Sequence, residues 1–156
     1  SSRFYEKFEK PGIAIEARAE MGAPPFFSMD PGLLQVSGVA SPGVSVDSLE
    51  KEIWEEVETL RTKPCSEEEV LKAKKQARSY FLQGLQTLFS KGLLAGLYQV
   101  RAGDFRRMYG ILEQYESVTP EDLLRVARKY LAAENRTVVT LQPVSQKEHE
   151  ELGELE

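Results

Sequence analysis

Residues able to do chemistry are scarce in this chain of 156 residues. His149 is the only histidine, and it stands in the acidic run Glu148-His149-Glu150-Glu151. A hydrolytic zinc site needs several His, Cys or carboxylate ligands around a position left open for water. A lone imidazole in a polar tail is therefore expected at the surface. Cys65 precedes a helix start, and helix N-termini favour thiolate. Three glutamates follow it, however, and the one histidine is far along the chain, so no Cys–His dyad is expected. Glu67, Glu68, Glu69 and the pair Glu55–Glu56 are spaced for capping and solvation rather than for acid–base work. No G-x-x-x-x-G-K-[ST] phosphate loop, G-x-G-x-x-G fingerprint or G-x-S-x-G elbow occurs. No catalytic residue, metal ligand or cofactor is expected in this chain. One surface candidate remains, the connection Pro24-Pro25-Phe26-Phe27. Phe26 and Phe27 could contact a partner chain or an extended peptide; the competing reading folds at least one ring back over the sheet.

The bulk numbers narrow the partners. With 41% hydrophobic residues the chain can build a real core as one domain. The net charge of −5 argues against nucleic acid and anionic membranes as partners. Lys74–Lys75 and Arg106–Arg107 each have acidic residues nearby and read as solvated helix faces. No apolar run approaches the roughly 20 residues of a membrane span, and no signal peptide opens the sequence. A single cysteine fits a reducing compartment, which gives a cytoplasmic expectation.

The elements that would position these residues follow from periodicity. Residues 4–10 read as the last turns of a helix stopped by Pro11-Gly12. Ile15, Ala17 and Ala19 alternate with Glu16, Arg18 and Glu20, the pattern of a half-buried strand. A second strand spans about Leu33 to Ala40, after the turn chemistry of Asp30-Pro31-Gly32, and pairs with the first. From Val46 the character becomes helical. Asp47 with Glu50 is read as a capping box, and Leu49, Ile53, Val57 and Leu60 form an apolar face with Glu50, Glu52, Glu55, Glu56 and Glu58 mostly away from it. Ser66 with Glu69 caps a second helix, whose stripe runs Val70, Ala73, Ala77, Phe81, Leu85 and Leu88. Two shorter helices are expected at about 90–101 and 103–116. Thr119 and Pro120 start a further one, with Val118 stapled onto Leu123. Residues 136–142 (RTVVTLQ) read as a third strand. The fold class is therefore α+β, helices packed on one face of an antiparallel sheet, over residues 1–144. Residues 145–156 form an acidic tail or linker. The sequence starts within an element and offers few strands for its helices, so the sheet is expected to be truncated at its N-terminal strand and helix.

In this order and spacing, several stretches resemble the zinc metallopeptidases of the insulinase, pitrilysin and mitochondrial processing peptidase family. They are S-R-F-Y-E-K-F (2–8), G-I-A-I-E-A (12–17) and D-P-G-L-L-Q-V-S-G-V-A-S-P-G-V (30–44). The helical half adds S-E-E-E-V-L-K-A-K (66–74), V-T-P-E-D-L-L-R-V-A-R-K-Y-L (118–131) and E-N-R-T-V-V-T-L-Q-P (134–143). The resemblance covers about residues 2–143, and the last two stretches are its most specific.

In that family each half-molecule pairs two related α+β domains. The first carries an inverted H-x-x-E-H zinc motif, and the second closes a chamber around extended peptides. The resemblance implies that this chain is such a second, non-catalytic domain. Its implied partners are the zinc-bearing domain of the same polypeptide and, in the intact enzyme, a peptide substrate. Zinc is expected in that other domain, since the motif is absent here. Non-catalytic halves in the family also use an Arg and a Tyr seven residues apart. The matching region, Phe8 to Ile15, holds neither, which favours a companion domain over a helper half. The alternative is a scaffold or assembly subunit on the same fold without peptidase activity; an H-x-x-E-H motif encoded upstream of Ser1 separates the two. Self-association through an exposed strand edge is also expected.

Overall fold

The computed structural model describes residues 2–21 and 32–142. Phe26, Phe27 and the tail with His149 lie outside the described residues. Two antiparallel strands, β1 (Ala14–Met21) and β2 (Leu34–Ala40), are preceded by a π-helical turn at Tyr5–Glu9. They are followed by α1 (Val46–Thr62), α2 (Glu67–Gly84) and α3 (Leu88–Ala102). A 3-10 turn at Phe105–Gly110 leads into α4 (Ile111–Ser117) and α5 (Pro120–Tyr130). The architecture is α+β, a two-stranded antiparallel sheet with helices.

The core forms where four elements meet. Phe4 and Phe8 from the N-terminal helix pack edge to face, with ring centroids 5.2 Å apart. They join Ala14, Ala17, Leu49 and Ile53 in one buried cluster, with Ile13, Val36 and Ala40 at its margin. Phe8 is fully buried, a contribution of about 2 kcal/mol by apolar area alone. Gly38 of β2 lies under α1: a Cβ there would meet Ile53 Cδ1 at 3.0 Å and Leu49 Cδ2 at 3.1 Å. The missing side chain lets the helix settle onto the strand. Gly12, at φ +81°, makes the turn from the N-terminal helix into β1.

The strand face departs from strict alternation. Ala14 and Ala17 are buried while Ile15 is 63% exposed. The cause is an irregularity between Ala14 and Glu16, where the register steps from Ala14 opposite Ala40 to Glu16 opposite Val39. One extra residue on β1 swings Ile15 out and re-phases the rest of the strand. The expected Ile15–Ala17–Ala19 face is thus replaced by Ala14–Ala17.

Helix termini follow local chemistry closely. Ser66 and Glu69 form the expected capping box, and Thr119 forms one with Asp122 ahead of Pro120. At α1 the cap is Ser45, whose side chain accepts the Ser48 N–H, rather than Asp47. Glu50 instead accepts the indole N–H of Trp54. The stripe of α2 ends with the helix at Gly84, and Leu88 opens α3, where it is 88% exposed. Residues 136–142 form no strand. They follow the short turn Ala133–Asn135 with Arg136 extended, and Val139 and Leu141 stand open to solvent.

Candidate interaction surface

The most connected polar cluster is built from four residues that sequence spacing does not link. Arg3 Nε and Nη2 donate to the two carboxylate oxygens of Glu69 at 2.6 and 2.9 Å, while Nη1 donates to Glu56 Oε1 at 2.9 Å. Lys7 Nζ reaches Glu56 Oε2 at 2.9 Å. This junction ties the N-terminal helix to α1 and α2. Glu69 holds Arg3 and caps α2 at once, and these hydrogen bonds, Arg3's first, bring its pKa down to about 2. Glu56 is buried, the exception among α1's glutamates, which are expected mostly away from the apolar face. Burial pushes its carboxyl up, but the hydrogen bonds from Lys7 and Arg3 outweigh that and hold it below the usual carboxylate range. Carboxylates so fully engaged are poor general bases. The cluster is a structural clamp.

No group of three His, Cys, Asp or Glu side chains among the described residues is placed to hold a metal ion. Cys65 is free and half-buried, directly ahead of the α2 cap. Among the described residues, no helix is long and apolar enough to cross a membrane.

What the fold displays instead is apolar surface. No residue of α3 is buried, although the helix carries Leu88, Phe89, Leu93, Leu94, Leu97 and Val100. Leu88, Phe89 and Val100 are each at least three-quarters exposed. α3 packs against the Phe105–Gly110 turn, where Met108 is buried but Tyr109 is exposed. α2 adds Leu71, Tyr80 and Leu82 to the exposed set. An apolar helix left open in this way marks a surface built to be covered.

A second feature lies on the flank of α1. Trp54 sits between Glu50, which accepts its N–H at 3.1 Å, and Arg136, whose guanidinium lies 4.2 Å from the ring centroid. Asp47, Lys51, Glu55 and Glu58 complete a shallow, mainly acidic groove. The Arg136–Trp54 stack pins the start of residues 136–142 to α1. Sequence reasoning missed both this stack and the Glu56 clamp, because each joins residues more than 45 positions apart.

No family model matches the chain, and no curated protein matches it. Solved structures do. The inactive peptidase domain of a protein from Bordetella parapertussis, described as a zinc protease, superimposes with a TM-score of 0.74 at 23% identity. That match covers 94% of this chain and 78% of the other. A protein from Bordetella pertussis Tohama I, also described as a zinc protease, gives 0.71 at 24% identity over 88% of this chain and 73% of its own. A protease from Helicobacter pylori gives 0.68 at 20% identity, over 85% of this chain and 31% of its own. The chain shares its fold with these domains.

Proposed function

We propose that the chain is a non-catalytic domain of a zinc-dependent metalloendopeptidase of the insulinase and pitrilysin type. It packs on a zinc-bearing domain and walls a chamber for extended peptides. The fold shared with the inactive peptidase domain from B. parapertussis carries this reading. The family resemblance of residues 2–143 supports it, as does the uncovered apolar face of α3. In this reading zinc and its activated water belong to the partner domain, and this chain contributes enclosure. Phe26 and Phe27 are proposed contacts with peptide or partner. Residues 145–156 are proposed as a tail or linker, and the lone cysteine suits a cytoplasmic protein.

Purified chain incubated with zinc, passed through a desalting column and analysed for metal tests the reading. The expected result is no retained zinc and no cleavage of a fluorogenic unstructured peptide. Zinc retained at one equivalent, with cleavage, overturns it.

A further inference from the structure

We draw no further inference here: the strongest candidate, the apolar face of α3 on which Phe89, Leu93 and Val100 stand exposed beside Gly92 and Gly96, belongs to the surface already described, and nothing in the structure shows what covers it.

Discussion

The sheet side of the molecule and its α2–α4 side are made from similar amounts of apolar residue and use them in opposite ways. Around β1, β2 and α1, side chains from four separate stretches close on one another, and Phe8 and Leu49 are excluded from water. Across α2, α3 and α4 only Val70 and Ile111 are buried, with Met108 in the turn between them. α3 buries nothing. One region is a core that satisfies itself; the other is half of a core. Amphipathic helices gain most of their stability from the face they bury, so among the described residues the second region gains less from burial than the first.

Substitutions can break that contrast. The largest effect is expected at Phe8→Ala, with a loss of about 4 kcal/mol in urea-unfolding free energy, and at Leu49→Ala, about 3 kcal/mol. Leu88→Ser and Val100→Ser should stay within about 0.5 kcal/mol, as exposed positions do. Equal losses in the two regions would erase the distinction. Gly38→Val should cost about 2 kcal/mol by overpacking, since its first added carbon already meets Ile53 and Leu49. Denaturant titration would show whether α1 can yield instead.

The clamp offers a smaller and pH-dependent test. Glu56→Ala removes a buried carboxylate that pairs Arg3 and Lys7, both partly exposed, and should cost about 1–2 kcal/mol. For Glu69 the folded pKa is depressed to about 2 from an ordinary 4.5. Its contribution is therefore complete above about pH 4.5 and is lost as the pH falls towards 2. Solvent screening at this partly exposed site keeps the effect modest. Thermal melts between pH 6 and 2 should show a shallower decline for Glu69→Gln than for the parent. Parallel declines would remove Arg3–Glu69 from the account.

Local chemistry was legible in the residues, and long-range pairing was not. Ser66 with Glu69, and Thr119 with Pro120, announce helix starts because a cap is settled within four residues. Leu49, Ile53 and Val57 declare their face by period alone. Ile15 misleads, because a bulge re-phases β1 and no neighbouring residue encodes it. Glu56 resembles any surface glutamate until Arg3 and Lys7 are brought to it from 53 and 49 positions away. Residues 136–142 have strand composition, yet composition does not supply the partner strand a ladder requires. The exposed surface of α3 was not legible, since an apolar stripe looks the same whether it is covered or open.

Native-state hydrogen exchange on the purified chain is the most direct measurement of the central claim, that one region closes on itself and the other gains less from burial. The amides hydrogen-bonded within α1 and between β1 and β2 should exchange only through global unfolding, at the free energy of the whole domain. Those of α3, residues 88–102, should open several kcal/mol more easily. Protection of α3 equal to that of α1 in the isolated chain at low concentration would contradict the account.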